Sequence, residues 1–313
     1  MKIHQFVLFC FLSIGLLSCR KAENKADHTP SYSFEESGIK AWFYENQLSN
    51  GLIPTCDSCP VSLYDNALAA MVFQVYGDYP QAEAIFDFFN ARLESEFLAD
   101  SGGFHQFRHW SGNPVRKHQW MGDNAWLLIA LNNYQARTGS AKYQDLQIAL
   151  EEWLRKLQRA NGALIAGFDG NVPNNILVSE GMIDAYNALP GYDDFHANLL
   201  QFLSAERWDS SQQSIHTGWA PFPHALDLHP WAFCAFENFP AYTLQNADKY
   251  RNNPFSMASR KWLEGYCFDE DRDNVWFEGC GQMAVAYQSA GNYYRVDSIL
   301  MEMEKGIIDG AKA

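Results

Sequence analysis

Positive charge is scarce in this chain of 313 residues. It contains 23 Lys and Arg against 37 Asp and Glu, which gives a formal net charge of -14. Proteins that bind nucleic acid neutralise phosphates with clustered Lys and Arg. The charge balance therefore argues against a nucleic-acid partner, and no basic run is present that could hold the chain on anionic lipid.

The motifs of several cofactor and enzyme classes are also missing. The sequence has no GxGxxG, no phosphate-binding loop and no GxSxG in a strand-turn-helix context, so nucleotide cofactors and serine hydrolase chemistry are unsupported. Cys56 and Cys59 form a lone CxxC pair without the second pair that a structural zinc site needs. We expect no cofactor and no metal ion, and in an exported protein this pair could form a small disulfide loop.

The apolar run near the start of the chain, residues 6–17, is too short to cross a bilayer, which needs about 20 residues. It follows the basic dipeptide Met1-Lys2 and ends in LLSC, which is typical of a bacterial lipobox with Cys19 as the lipidated residue. We expect residues 1–18 to be a signal peptide and Cys19 to anchor the protein to a membrane of the cell envelope, facing the periplasm or the cell surface. Ordinary signal cleavage near the same place is the alternative.

The rest of the chain divides into a tether and a folded part. Residues 19–33 are polar and lack periodicity, as a flexible tether would. Residues 34–313 contain no linker rich in Pro, Gly and Ser, and their length suits one large domain. We therefore predict a single domain over 34–313. The sequence leaves its oligomeric state open.

Five short, Ala-rich, apolar helices are predicted to begin with an acidic residue or a His-Pro pair. Their starts, Asp65, Asp123, Glu180, His229 and Glu278, are 58, 57, 49 and 49 residues apart. A recurring unit of this length indicates an array of supersecondary modules. Helices that are apolar on most sides must be surrounded by neighbours, so these five should be inner helices.

Amphipathic helices, such as 80–98 and 142–158, alternate with the apolar ones and should lie outside them. The predicted helices are 35–48, 64–76, 80–98, 123–138, 142–159, 179–188, 193–206, 230–238, 255–265, 278–289 and 292–308. Strand signals are sparse. We predict an all-α fold, an (α/α)6 toroid of six hairpins or an incomplete form of it. Long loops before the inner helices should build a binding face, which carries the acidic helix starts.

The segments YDNALAA, GDNAW, SEGMIDAY and WFEGCGQMAVAY resemble the inner-helix motifs of the six-hairpin glycosidase-like superfamily. The likeness covers nearly all of residues 35–310. That superfamily holds glycoside hydrolases, polysaccharide lyases and sugar epimerases. The resemblance implies an oligosaccharide or glycan as partner and places catalytic acids in a central funnel, at the starts of inner helices.

Asp123 and Glu278 are the first candidates for catalysis, followed by Asp65 and Glu180. Glycoside hydrolysis uses one protonated carboxyl and one carboxylate. Helix capping competes with this interpretation, because Asp is a favoured N-cap and acids in a first turn are stabilised by the helix dipole. Apolar flanks at Glu278 would raise its pKa toward use as a general acid.

Tryptophans in the long loops are candidates for stacking on sugar rings, although a half-buried structural role is equally open. The substrate-binding candidates are Trp110, Trp120, Trp219, Trp276, His105 and His229. His216, His224, Asp227 and His229 crowd one loop, where they could hold zinc or shuttle protons. A Pro-rich lid explains them as well.

The sequence thus favours a carbohydrate-active lipoprotein that cleaves an oligosaccharide by carboxylate acid/base catalysis. A non-catalytic glycan-binding lipoprotein is the alternative. A sugar epimerase or polysaccharide lyase that uses His and Tyr is a further one.

Overall fold

The computed structural model describes residues 37–99 and 101–306. The predicted signal peptide, tether and lipidated Cys19 lie outside these residues. Within the described part of the chain, no helix is long and apolar enough to cross a membrane. Helix α1 is Ser37–Asn46.

The chain divides into two compact units. The described part of the N-terminal unit is 41–207, and that of the C-terminal unit is 208–306 together with 37–40. The single domain expected over 34–313 stays a prediction.

The described residues of the N-terminal unit form three helical hairpins. Their helices are α2 (Leu63–Val75), α3 (Tyr79–Asn90), α4 (Met121–Thr138), α5 (Gln144–Lys156), α6 (Ser179–Ala188) and α7 (Asp194–Phe202). Helix α2 packs on α4 and α4 packs on α6, while α3, α5 and α7 each pack on the helix before them. Inner and outer helices therefore alternate along this unit, as the apolar and amphipathic patterns predicted.

Burial follows the same alternation. Eleven of the 13 residues of α2 are buried, which explains why this segment is apolar on most sides. Helix α5 instead buries one face, including Leu150 and Trp153, and leaves Ile148 46% exposed. An amphipathic helix gains most of its stability from packing such a face.

Short strands join the long loops of the N-terminal unit. They are β1 (Val61–Ser62), β2 (Phe107–Arg108), β3 (Gln119–Trp120), β4 (Gly167–Asp169) and β5 (Val172–Asn174). Strand β1 pairs with β2, and β3, β4 and β5 form an antiparallel sheet in that order. Strands of two or three residues are too short to show alternation in the sequence. They place the loops directly before α2 and α4.

The C-terminal unit contains two longer inner helices, α8 (Leu228–Ala235) and α10 (Phe277–Ser289), which pack on each other. Helix α9 (Tyr242–Asn246) contacts both, and α11 (Tyr293–Glu304) packs on α10. The short α9 was not predicted. The strands are β6 (Trp208–Asp209), β7 (Ser214–Ile215), β8 (Arg251–Asn252), β9 (Phe255–Ser256), β10 (Lys261–Trp262) and β11 (Gly265–Tyr266).

The helix predicted over 255–265 is wrong. Strands β9 and β10 pair antiparallel there, and Arg260 between them has a positive φ of 53°, which a helix cannot contain. Met257 is 82% exposed and Trp262 is 62% exposed. The apolar residues of this segment thus do not form the buried stripe that a surface helix requires.

Candidate functional site

An acidic cavity of about 340 Å³ opens in the N-terminal unit. Four carboxyl groups and four aromatic rings contribute to its wall, together with hydroxyl and amide groups, and none of its lining residues is basic. The lining residues are Thr55, Ser62, Tyr64, Asp65, Gln106, Phe107, Trp120, Gly122, Asp123, Trp126, Glu180, Gly181 and Asp184.

Three of the four acids proposed from the sequence lie together in this wall. Asp65, Asp123 and Glu180 come from the first turns of α2, α4 and α6. The fourth carboxyl, Asp184, was missed. It follows Glu180 by four residues on α6, and residues at that spacing share one helix face. That spacing in SEGMID was the available signal.

Neither Asp65 nor Asp123 is the N-cap residue of its helix. Each is the third residue of its helix. Ser62 is the N-cap of α2, and its Oγ accepts a hydrogen bond from the backbone N of Asp65 at 3.2 Å. The N-cap of α4 is Trp120, which has no side-chain acceptor. Both residues line the acidic cavity.

The asparagine after each of these acids anchors the loop that precedes its helix. Asn66 binds both backbone groups of Ile53: its Oδ1 accepts from the N–H at 2.9 Å and its Nδ2 donates to the carbonyl at 3.0 Å. Asn124 does the same with Phe104, at 2.9 and 3.1 Å. The two Asp-Asn pairs thus combine one buried structural side chain with one side chain facing the cavity.

Two polar residues of the anchored loops reach the carboxyls. The hydroxyl of Thr55 donates to Oδ2 of Asp65. Nε2 of Gln106 donates to Oδ2 of Asp123 at 3.2 Å. The other oxygen of Asp123, Oδ1, is buried and has no hydrogen-bond partner within residues 37–99 and 101–306. This oxygen belongs to a carboxyl that lines the cavity.

Burial raises the pKa values of both carboxyls, because a low dielectric disfavours the charged form. The pKa of Asp65 rises to about 6, and the hydrogen bond from Thr55 opposes this rise. The pKa of Asp123 rises to about 7, against the hydrogen bond from Gln106 and the nearby backbone amides of Tyr64 and of Asp123 itself, and the negative charge of Asp65 raises it further. Asp123 is therefore the carboxyl that keeps its proton to higher pH.

Glycines let the starts of α4 and α6 come close. A Cβ on Gly122 would lie 3.2 Å from Oδ2 of Asp184, and one on Gly181 would lie 2.8 Å from Cε of Met121. The small residues in MGDN and SEGM thus leave room for the carboxyl of Asp184 beside α4.

The aromatic wall contains one of the predicted tryptophans. Trp120 lines the cavity and stacks on His118 with ring centroids 5.3 Å apart. Tyr64 and Trp126, which meet edge to face at 5.6 Å, were not predicted. Trp126 lies within the apolar run of α4, where an indole gives no signal beyond core packing.

Two other predicted binding residues of this unit are not among the cavity's lining. Trp110 is 44% exposed, and its indole N–H donates to the carbonyl of Cys59 at 2.7 Å. Cys56 and Cys59 form a disulfide. His105 is buried, and its backbone N–H donates to Oε1 of Glu96 at 3.3 Å.

The C-terminal unit has its own carboxyl pair. Asp227 is the N-cap of α8, with Oδ1 accepting from the N–H of Leu228 at 2.8 Å. Glu278 is the half-buried second residue of α10. Burial raises the pKa of Asp227 to about 7, and the charge of Glu278 raises it further. Asp227 is thus a neighbour of Glu278 that the sequence did not pair with it.

Aromatic rings connect the two predicted tryptophans of this unit. Trp219, which is 49% exposed, contacts Phe222 at 5.2 Å between centroids. Phe222 contacts Phe268 at 5.7 Å, and Phe268 contacts Trp276 at 5.2 Å. A continuous row of edge-to-face rings therefore leads from an exposed indole to the start of α10.

The histidine loop is held by internal contacts. His229 is 1% exposed, and its Nδ1–H donates to the carbonyl of Thr243 at 2.9 Å. Burial lowers its pKa to about 4, which keeps the ring neutral at physiological pH. His224 meets the Oγ of Ser214 at 3.1 Å and Asp209 at 3.4 Å. Both histidines are thus engaged by residues of the C-terminal unit, and His229 is buried.

Comparison with known proteins supports the fold. No protein-family model matches the chain, and no curated protein matches its sequence. The chain is similar to the structure of cellobiose 2-epimerase from Spirochaeta thermophila, with a TM-score of 0.58 and 14% identity over 95% of this chain and 86% of that one. It is also similar to an endoglucanase of glycosyl hydrolase family 8 from Klebsiella pneumoniae, with a TM-score of 0.55 and 12% identity over 85% of this chain and 97% of that one.

Likeness at this level of identity establishes the fold and leaves the activity open. The all-α, (α/α)6 toroid fold predicted from the sequence is confirmed.

Proposed function

We propose that this protein is a glycoside hydrolase that cleaves an oligosaccharide in the acidic cavity, with Asp123 as general acid and Asp65 as the assisting carboxylate. One observation carries the proposal. Two buried carboxyls of one cavity interact, and their pKa values of about 6 and about 7 bracket a pH range in which one is charged and the other protonated. Glycoside hydrolysis requires this combination.

The roles follow from the order of the two pKa values. Asp123 donates its proton to the glycosidic oxygen as the C–O bond breaks. Asp65 loses its own proton at lower pH. As a carboxylate, it assists the attack of water on the anomeric carbon. The sequence ranked Asp123 and Glu278 first without pairing any acid with a base, and Asp65 is paired with Asp123 here because its charge raises the pKa of Asp123 in the same cavity. Glu180 and Asp184 line the same cavity, where they bind sugar hydroxyls.

The aromatic wall supports a sugar ligand. Tyr64, Trp120 and Trp126 present ring surface beside the carboxyls, and the C–H faces of sugar rings pack on such surfaces. One structurally similar protein is an endoglucanase and another is a cellobiose 2-epimerase. Epimerase or lyase chemistry based on histidine is less well supported, because no histidine is among the residues that line this cavity.

A hydrolysis screen tests the proposal. The native protein is incubated with a panel of neutral oligosaccharides, and new reducing ends are measured beside Asp123→Asn and Asp65→Asn. We expect turnover by the native protein and a loss of about 10²- to 10⁴-fold in each variant, the usual contribution of a positioned acid or base. Asp145→Asn is the matched control, since Asp145 is an exposed acid in the first turn of α5 and does not line the cavity.

Other outcomes would overturn the assignment. Full activity in Asp123→Asn would remove the proposed acid from the mechanism. Binding without turnover in the native protein and both variants would favour a non-catalytic glycan-binding protein. An isomer formed without new reducing ends would favour an epimerase.

The cell-envelope location is a separate proposal, supported by the LLSC sequence that ends at Cys19. Expression in a bacterium with an alkyne analogue of palmitate should label the native protein and leave Cys19→Ala unlabelled. Cys234→Ala is the control and should retain the label. Label in Cys19→Ala, or none in the native protein, would contradict lipidation at this residue.

A further inference from the structure

The loops before α2 and α4 hold their carboxyls through the same arrangement of three side chains. Asn66 binds both backbone groups of Ile53, and Thr55, two residues after Ile53, donates to Asp65. In the second loop Asn124 binds both backbone groups of Phe104. Gln106, again two residues later, donates to Asp123. In both loops the donor is two residues after the residue that Asn binds, and the acid directly precedes that Asn.

Because the arrangement occurs twice, we infer that the anchoring Asn determines where the hydrogen-bond donor of each loop lies. Asn66 and Asn124 are both 0% exposed, so each fixes the backbone of its loop two residues before the donor. In both loops the donor follows the anchored residue by two positions. Thr55 and Gln106 each reach the carboxyl that precedes the anchoring Asn.

The first loop has a further constraint that helps to fix Thr55. The Cys56–Cys59 disulfide closes the segment that follows Thr55, and the N–H of Thr55 donates to the carbonyl of Pro60 at 3.4 Å. The indole of Trp110 donates to the carbonyl of Cys59 at 2.7 Å. The segment from Thr55 to Pro60 is thus held by the disulfide and by two hydrogen bonds, directly beside the hydroxyl that binds Asp65.

We propose that Thr55 and Gln106 are equivalent positioning residues for Asp65 and Asp123, and that the Cys56–Cys59 disulfide holds Thr55 against its carboxyl. The proposal rests on the roles of these two acids in hydrolysis. Each donor acts through the carboxyl that it binds. Each stabilises the charged form of one carboxyl by a hydrogen bond, and so sets the pH at which that carboxyl changes its charge.

The two donors should control opposite limbs of the pH profile. Thr55→Val removes the hydroxyl and keeps the shape, so Asp65 retains its proton to higher pH and the acid limb of kcat/KM moves upward by about one pH unit. Gln106→Leu acts on Asp123, which then stays protonated to higher pH, and the alkaline limb moves upward instead. Thr55→Ser should restore the native acid limb.

The disulfide is tested with Cys56→Ser combined with Cys59→Ser. We expect the acid limb to move in the same direction as in Thr55→Val and the alkaline limb to stay in place. Ser58→Ala, an exposed change within the same ring, should leave both limbs unchanged. Unchanged acid limbs in Thr55→Val or in the double serine variant would overturn the corresponding part of the proposal.

A titration separates this proposal from the proposed hydrolysis. The carboxyl carbons of ¹³C-labelled aspartate are followed by NMR against pH, with Asp65→Asn and Asp123→Asn used for assignment. We expect Thr55→Val to raise the pKa of Asp65 and Gln106→Leu to raise that of Asp123. If no substrate is cleaved but these shifts occur, the positioning roles stand and the function fails. If cleavage occurs without the shifts, the positioning roles fail.

Discussion

The negative charge of Asp65 raises the pKa of the Asp123 carboxyl in the same cavity. The two side chains occupy the third positions of α2 and α4, two helices that pack directly on each other. Burial acts on both, and Asp65 adds a charge that makes ionisation of Asp123 still less favourable. Two residues of the same type thereby acquire different protonation states near neutral pH.

A narrow, bell-shaped pH dependence follows. Activity should rise as Asp65 loses its proton near pH 6 and fall as Asp123 loses its own near pH 7, because the base must be charged and the acid protonated. We expect the maximum of kcat/KM between these values. The measurement is the initial rate from about pH 4 to 9 at low substrate concentration. A profile that is flat across pH 5 to 8 would contradict the assignment of these two residues.

Asp123→Asn should stabilise the protein at alkaline pH. The pKa of Asp123 is raised from 3.8 to about 7, so the folded state binds the proton more tightly than the unfolded state. Ionisation of its buried carboxyl therefore lowers the free energy of unfolding. This loss is complete above pH 7 and disappears below about pH 4. Removing the charge should raise the free energy of unfolding at pH 8 by up to about 4 kcal/mol, since each unit of the pKa rise corresponds to about 1.4 kcal/mol.

Urea denaturation at pH 8 and pH 4 measures this effect. Most of the gain should disappear at pH 4, where the carboxyl is protonated in the folded state and about half protonated in the unfolded state. Asp145→Asn on the exposed face of α5 should show no comparable gain at either pH. If Asp123→Asn is destabilised equally at both pH values, burial of the Asp123 carboxylate does not lower the free energy of unfolding.

The helix starts could be predicted because each has a feature that is visible in the sequence alone. An acid before an Ala-rich apolar run marks Asp65 and Asp123, and their helices begin within two residues of the predicted positions. Thr55 and Gln106 carry no such mark. Their importance depends on hydrogen bonds to residues 10 and 17 positions away, which only the folded loops create.

Two surroundings that the sequence did not indicate have a similar origin. Trp110 and Trp120 occur in the same kind of loop, but strand pairing brings Trp120 to the cavity wall, whereas Trp110 packs against the disulfide ring. Asp227 was assigned to a group of histidines nearby in sequence, yet its pKa responds to Glu278 on another helix. Sequence neighbours were a poor guide wherever short strands or helix packing decide which side chains meet.

Asn124→Ala should destabilise the protein strongly. It removes hydrogen bonds to both backbone groups of Phe104 and to the carbonyl of Trp120, and Phe104 itself is 0% exposed. Buried backbone groups that lose their partners cost about 1–3 kcal/mol each. We expect a loss of about 2–4 kcal/mol in urea denaturation.

Asn133→Ala is the matched control on the same helix. Its side chain is half-buried and donates to the carbonyl of Ile129 at 3.0 Å, so its loss should lower the free energy of unfolding by about 1 kcal/mol or less. Similar losses in the two variants would contradict the anchoring role of Asn124.

Glu96→Gln should weaken both the fold and the site. Arg108 is 0% exposed, and its guanidinium donates to both carboxylate oxygens of Glu96. Oε1 of Glu96 also accepts from the N–H of His105, the residue next to Gln106. Removing one partner leaves a buried charge uncompensated, which destabilises by about 3–5 kcal/mol. The loop that carries Gln106 should loosen as well.

Thermal or urea unfolding of Glu96→Gln should be compared with Arg155→Gln, which breaks the exposed pair of Arg155 with Asp193. Exposed ion pairs contribute about 0–1 kcal/mol, so Arg155→Gln should change little. If the free energy of unfolding falls by a similar amount in the two variants, the Arg108–Glu96 ion pair does not hold the loop that carries Gln106. If Glu96→Gln instead unfolds more easily, its pH profile at a temperature where it remains folded should show the upward shift of the alkaline limb that is expected for Gln106→Leu, because both changes weaken the same hydrogen bond to Asp123.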